Sequence, residues 1–293
     1  MLNIINKKFH VFILLLEVYL LLSSCQNNNI LSSLSNEELR GIRLATFNTG
    51  SFVKELAPNV QIYGVPLFRE VVKQIHADVL FTQEDTPYYT EGLSPYQEFF
   101  DIYPYFAHEG STLLNYYGVY SNYPIVSSKS IQFKNFITHT HYMVVEIDIS
   151  GTVVAFANIH LDWCDIETRK KQLYEVRDHM TQYNNSVIVG DFNPDNYVDN
   201  EKNFNELTYE DYSTWKEDFK IFTNAGYEYV NAGELGYCQT FYGIQGLTDN
   251  NVVYPLDNIM YKKDFFMLKD FSVVYYNYLK DHIPLYADFT LIK

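Results

Sequence analysis

Apolar residues in this chain come in short runs, and many of the runs stop on an asparagine, aspartate, glutamate or histidine. IRLATFNTG (42–50), DVLFTQED (78–85), VVAFANIHLD (153–162) and VIVGDF (187–192) read as buried strands. YYGVYSNYPIV (116–126) and HYMVVEIDIS (141–150) alternate in the manner of antiparallel strands. VPLFREVVKQIHA (65–77) spaces its apolar residues as a helix does, and further helices are predicted around ETRKKQLYEVRDHM (167–180) and YEDYSTWKEDFKIFTNA (209–225). Strands near CQTFYG, VVYPLDNIMY and FSVVYYN precede a last one at PLYADFTLI. Residues 41–293 contain no Pro/Gly/Ser-rich linker and no internal repeat, so one domain is expected. Strands outnumber helices, and helices are separated by strand pairs. That pattern predicts an α/β chain of the α+β kind, with two sheets packed face to face and helices outside. No G-x-G-x-x-G follows the first strand and no G-x-x-x-x-G-K occurs, which excludes a dinucleotide-binding or P-loop reading.

The first residues follow a different pattern. Lys7 and Lys8 precede the apolar run FHVFILLLEVYLLL, and Leu22-Ser23-Ser24-Cys25 closes it. A basic start, an apolar run and small residues before a cysteine make an export signal. The run is shorter than the ~20 residues of a membrane span. The closing four residues resemble a bacterial lipobox, which implies acylation of Cys25. An uncleaved anchor or an ordinary signal is the alternative, since His10 and Glu17 are unusual in such a run. On the lipobox reading residues 1–24 are a lipoprotein signal peptide, 25–40 a polar tether and 41–293 the folded domain. The protein would then sit at the cell envelope, on the periplasmic face or the cell surface, held to the membrane by its N-terminal lipid. Cys164 and Cys238 either pair or stay as thiols, and they offer no zinc-site spacing.

Charge narrows the function classes. Over 293 residues the formal net charge is -15, which excludes a protein held on nucleic acid or anionic lipid by positive charge alone. An enzyme that meets such a substrate through a bound cation remains open.

The strand ends carry the candidate chemistry. VIVGDFNPD puts Asp191 and Asn193 two apart, on one side of an extended chain. An Asp-Phe-Asn-Pro turn explains that pair equally well. Similar endings recur, however: Asn48 in ATFNTG, Glu84 in FTQED, His160 in ANIHLDW, Asp257 in PLDNIMY, and Asp281-His282 in KDHIPL. If these strands share one sheet end, their side chains meet in a single polar cleft.

Taken in order, ATFNTG, VLFTQED, GVYSNYPI, ANIHLDW, VIVGDFNPD, QTFYG, PLDNIMY and DHIPL resemble the endonuclease/exonuclease/phosphatase superfamily. That is the fold of pancreatic-type deoxyribonuclease, apurinic endonucleases, neutral sphingomyelinases and inositol polyphosphate phosphatases. The resemblance implies a four-layer αββα sandwich, two packed mixed β-sheets flanked by helices, with residues 41–293 as the catalytic domain. It implies metal-dependent hydrolysis of a phosphoric ester. Glu84 would be the principal metal ligand with Asn48 beside it, and Asp281 a second metal-site or water-positioning residue. Asp191 would activate the attacking water, and Asn193 would hold the water or a phosphoryl oxygen. His160 and His282 would donate to the phosphate, with Asp257 orienting the histidine. An all-oxygen site suits Mg²⁺, or Mn²⁺, better than Zn²⁺. Tyr117 falls where relatives place a substrate-facing residue. Gly50 stands where some relatives carry a second acid, Asp162 resembles the H-L-D of bacterial members, and Asp85 is an additional carboxylate with no assigned role.

The substrate is left open between nucleic acid, phospholipid and a small phosphorylated molecule. A phosphodiesterase is the first expectation, a phosphomonoesterase of the same fold the second. A non-catalytic lipid-anchored binding protein is the alternative from another class. No obligate protein partner is implied.

Overall fold

The computed structural model describes residues 40–50, 53–57, 60–63, 65–85, 101–110, 116–134, 140–163, 165–194, 215–231, 240, 256–274 and 282–292. The leader and Cys25, Cys164, Cys238 and Asp281 lie outside the described residues, as does the expected CQTFYG strand apart from Thr240.

The strands assemble into two six-stranded sheets. The first comprises β1 (Arg40–Asn48), β4 (Val79–Gln83), β5 (Tyr105–Gly110), β6 (Tyr116–Ser121), β13 (Phe266–Val273) and β14 (Leu285–Leu291), in the order β13-β14-β1-β4-β6-β5. The second comprises β7 (Ile125–Gln132), β8 (His141–Ile149), β9 (Thr152–His160), β10 (Ser186–Asp191), β11 (Tyr227–Tyr229) and β12 (Asp257–Lys262), in the order β11-β12-β10-β9-β8-β7. β2 (Val53–Ala57) and β3 (Val60–Tyr63) form a separate antiparallel pair. β1 and β4 run parallel, as do β9 and β10, while β4–β6 and β10–β12 are antiparallel. Both sheets are therefore mixed.

Side-chain alternation sorts the core into layers. Leu44, Val79, Phe81 and Val119 of the first sheet face Val145, Val154, Phe156, Val187, Val189 and Ile259 of the second. Phe81 and Phe156 meet there with ring centroids 5.1 Å apart. The opposite faces carry the intervening residues. Ala45, Phe47, Leu80 and Tyr120 pack with Phe68, Val71, Val72 and Ile75 of α1 (Val65–Ile75). Ala155, Ala157, Ile188 and Met260 pack with Leu173, Val176 and Met180 of α2 (Ile166–Met180) and with Phe219 and Phe222 of α3 (Trp215–Thr223). The result is an αββα sandwich, as the sequence implies.

One expected strand becomes two. The stretch 116–126 breaks after Ser121, and its two halves belong to different sheets. Pro124 has no N–H to offer a ladder, the Asn122 amide turns to the Asp78 carbonyl at 2.9 Å, and the Tyr123 amide turns to Ser121 Oγ at 2.9 Å. The chain thus steps across the sandwich at β6–β7.

Candidate active site

The inner faces of both sheets change from apolar to polar toward one end. The last apolar pair, Phe81 and Phe156, is followed one step along each strand by Gln83 and Asn158. Gln83 Nε2 donates to Asn158 Oδ1 at 2.7 Å and to Thr46 Oγ1 at 3.2 Å, linking the sheets. Asn158 Nδ2 in turn donates to the Thr82 carbonyl at 2.9 Å and the Gly118 carbonyl at 3.0 Å. This buried amide layer is the floor. One further step along each strand brings Asn48, His160, Asp191 and Asp257, all buried. In the second sheet the register sets Asp191 opposite both His160 and Asp257, and in the first it sets Asn48 opposite Gln83.

Asp191 stands at the centre. Its Oδ2 lies 3.2 Å from Asn48 Nδ2, 3.6 Å from His160 Nε2 and 3.6 Å from His282 Nε2. Its Oδ1 accepts the Asn193 backbone amide at 3.0 Å. Burial pushes the Asp191 carboxyl well above the usual carboxylate range, and the facing His282 pulls it back. Asp257 Oδ2 lies 2.9 Å from His282 Nδ1, so that nitrogen carries the proton and Nε2 is the one turned to Asp191. The Asp257 amide is itself fixed by Thr240 Oγ1 at 3.0 Å.

Glu84 enters from the turn after β4. Its Oε1 is 3.2 Å from Asn48 Nδ2 and 4.0 Å from His160 Nε2, and its side chain is 22% exposed. It is therefore the more open carboxylate of the cluster. Because Asn48 Oδ1 accepts the Gly50 amide at 3.0 Å, the Asn48 nitrogen must face the two carboxylates. Asn48, expected beside a metal, offers N–H here rather than oxygen, and brackets Glu84 and Asp191.

The sequence profile of the Endonuclease/Exonuclease/phosphatase family matches residues 45–266. The chain belongs to that family. Solved structures share its fold. An endonuclease/exonuclease/phosphatase from Beutenbergia cavernae DSM 12333 is 21% identical, with 86% of this chain and 72% of that chain covered and a TM-score of 0.64. TDP2 from D. rerio, complexed with single strand DNA product, is 17% identical over 85% of this chain and 98% of that one, with a TM-score of 0.58. The 3′ phosphatase NExo from Neisseria, bound to product DNA hairpin, is 17% identical over 84% and 98%, with a TM-score of 0.58. No curated protein matches the chain significantly.

Among the described residues of this endonuclease/exonuclease/phosphatase domain, two groups could hold a cation. Glu84 and Asp191 present carboxylate oxygens to the same amide nitrogen, an all-oxygen pair fitting a hard divalent ion. Asp191, Asp257 and His282 also place ligand atoms within 4.8 Å of one another. The second group is already closed internally by the Asp257–His282 hydrogen bond. The first therefore fits an ion better, and the second fits proton handling.

The remaining site residues of the family series separate clearly. Asn193 is buried with a left-handed φ of 41°, and its Nδ2 donates to the Leu161 carbonyl at 3.0 Å. It thereby ties the loop after Asp191 to the segment after His160. Tyr117 is fully buried beneath the cleft, its hydroxyl donating to the His141 carbonyl at 2.8 Å. Asp162 accepts the Asp165 amide on Oδ1 at 2.8 Å, while its own amide donates to Gln172 Oε1 at 2.9 Å. Arg169, which a helical pattern alone would leave on the surface, is 1% exposed and donates to the Asp162 carbonyl at 3.0 Å. Gln83, Asn158 and Arg169 were missed by sequence reasoning. For Gln83 and Asn158 the signal was a polar residue at a strand position whose neighbours two away were buried; Arg169, between exposed Glu167 and Lys171 on a helix, gave none.

Proposed function

We propose that this protein is a Mg²⁺-dependent phosphodiesterase acting at the bacterial cell envelope. The observation that carries the reading is the convergence on Asp191 Oδ2 of Asn48 at 3.2 Å and of His160 and His282 at 3.6 Å, each from a different strand or loop. Phosphoryl transfer to water needs a base for the water, donors for the phosphoryl oxygens, and positive charge. Asp191 would take the proton of the attacking water. His160 and His282 would donate from Nε2 to phosphoryl oxygens, and Asp257 would keep His282 oriented through its Nδ1. Among the described residues, Arg43, Arg69 and Arg177 are engaged by Asp288, Asp101 and Asp178, and the imidazoles and a cation would supply the charge at the cluster. Glu84, with Asp191, would hold that cation, which when bound supplies charge neutralisation to the phosphoryl group.

The neighbours from D. rerio and Neisseria are described with product DNA, which supports a nucleic-acid phosphodiester as the first substrate to try. The Neisseria neighbour is described as a 3′ phosphatase, so a phosphomonoesterase is the second reading. A binding protein without turnover would have no use for the Asp257–His282–Asp191 series. The envelope location rests on the lipobox-like Leu22–Cys25 sequence. Mass spectrometry of the membrane fraction should find a diacylglyceryl group on Cys25, and a mature form starting elsewhere contradicts it.

The purified protein should be offered plasmid DNA, RNA, sphingomyelin, bis(p-nitrophenyl) phosphate and p-nitrophenyl phosphate, each with Mg²⁺ and with EDTA. Diester cleavage abolished by EDTA is expected. Cleavage of the monoester alone contradicts the diesterase reading, and no turnover on any substrate favours a binding protein.

A further inference from the structure

Asp85 follows Glu84 in the sequence, yet it lies away from the cleft. Along β4, Val79 and Phe81 face the second sheet and Leu80 faces α1. Gln83 continues the inner row, bonded across the sandwich to Asn158. Continued alternation would turn Glu84 to the outer face and bring Asp85 inward beside Asp191. The reverse is found. Glu84 Oε1 reaches Asn48 in the cleft. Asp85 is fully buried behind the sheet, where its Oδ2 accepts from Thr82 Oγ1 at 2.7 Å and from Tyr120 Oη at 2.8 Å.

The exchange of faces is made at Glu84 itself, whose φ is +51°, a region that side-chain-bearing residues rarely adopt. Two neighbours accommodate it. Gly118 leaves room for the displaced carboxylate, since a Cβ there would come within 2.2 Å of Asp85 Oδ2 and 2.4 Å of Thr82 Oγ1. Thr49 holds the other side, its amide donating to the Gln83 carbonyl at 2.9 Å and its hydroxyl to the Glu84 carbonyl at 3.0 Å.

We propose that Asp85 is a positioning residue for Glu84: tied to Thr82 and Tyr120 behind the sheet, it holds the left-handed turn that swings the Glu84 carboxylate into the cleft. This rests on the reading of Glu84 as a cation ligand. Affinity for the cation is then set in part by a carboxylate that never touches it.

The test is Mn²⁺ affinity, titrated on wild type, Asp85→Ala, Asp85→Asn and Glu84→Gln, with thermal unfolding to establish that each folds. Asp85→Ala should bind Mn²⁺ about tenfold more weakly or worse, as loss of a residue supporting a ligand does. Asp85→Asn keeps an acceptor for both hydroxyls and should stay near wild type. A folded Asp85→Ala with wild-type affinity overturns the proposal. If Asp85→Ala does not fold, Tyr120→Phe removes one of the two donors while keeping the ring. Weakened Mn²⁺ binding then upholds the link and unchanged binding overturns it. Glu84→Gln separates the two claims. Should it bind Mn²⁺ as wild type does, the cation reading of Glu84 fails, and a crystal structure of the alanine variant decides positioning. Glu84 released from its left-handed φ upholds the proposal, and Glu84 unmoved overturns it.

Discussion

His282 is held by a carboxylate on one ring nitrogen and faces a second carboxylate with the other, at 2.9 and 3.6 Å. With Nδ1 committed to Asp257, the ring can exchange a proton with the cleft only along the Nε2 direction. Asp257 and His282 should therefore behave as one unit in catalysis. Asp257→Asn and His282→Gln are each expected to lower kcat about 10²- to 10⁴-fold, and the double variant no further than the worse single one. Steady-state kinetics on a diester substrate would check this, and additive losses would mean independent roles. At this scale Asn48, Glu84, His160, Asp191, Asp257 and His282 were legible as polar residues ending apolar runs. The role of Asp85 was not legible. Sequence alternation assigns it to the wrong face, and only the left-handed Glu84 corrects the parity.

Between neighbouring strands, backbone spacing decides what can stand at the strand ends. Gly190 immediately precedes Asp191 with a φ of 138°, and a Cβ there would lie 2.0 Å from the Ile159 carbonyl oxygen. The glycine of GDFN is thus a packing requirement between β9 and β10. Gly190→Ala should destabilise the fold by about 2–4 kcal/mol in chemical denaturation, through combined overpacking and backbone strain. The Gln83–Asn158 bridge invites a second comparison. Asn158→Ala removes the shorter of the two hydrogen bonds of the buried Gln83 amide nitrogen and should cost about 1–3 kcal/mol, with activity falling too, because the floor spans both sheets directly under Asn48 and His160. Runs ending in polar residues revealed β1, β4, β9 and β10. The short or edge strands β5, β7 and β11 were harder, because YFAHEG and YEY are too short or too mixed to show a period, and β7 begins at a proline-bounded bend. Their pairing is set by neighbours that no local pattern names.

For the whole molecule, electrostatics sets the terms. A chain of net charge -15 that gathers Glu84, Asp191 and Asp257 at one cleft repels a phosphate ester unless a cation intervenes. Removal of divalent ions should therefore abolish turnover, with Mg²⁺ or Mn²⁺ restoring it. Binding of a nucleic-acid substrate should weaken less steeply with monovalent salt than binding by a basic nuclease, because few Lys or Arg displace condensed counterions. A steep salt slope measured by fluorescence anisotropy would argue for a basic groove that the composition does not suggest.

The most direct test is the rate of bis(p-nitrophenyl) phosphate hydrolysis by Asp191→Asn in saturating Mg²⁺, compared with wild type under the same conditions. If Asp191 is the group that takes the water's proton, the rate falls at least about 100-fold while thermal unfolding is unchanged. Hydrolysis near the wild-type rate would show that the strand-end cluster around Asp191 is not where the ester is cleaved.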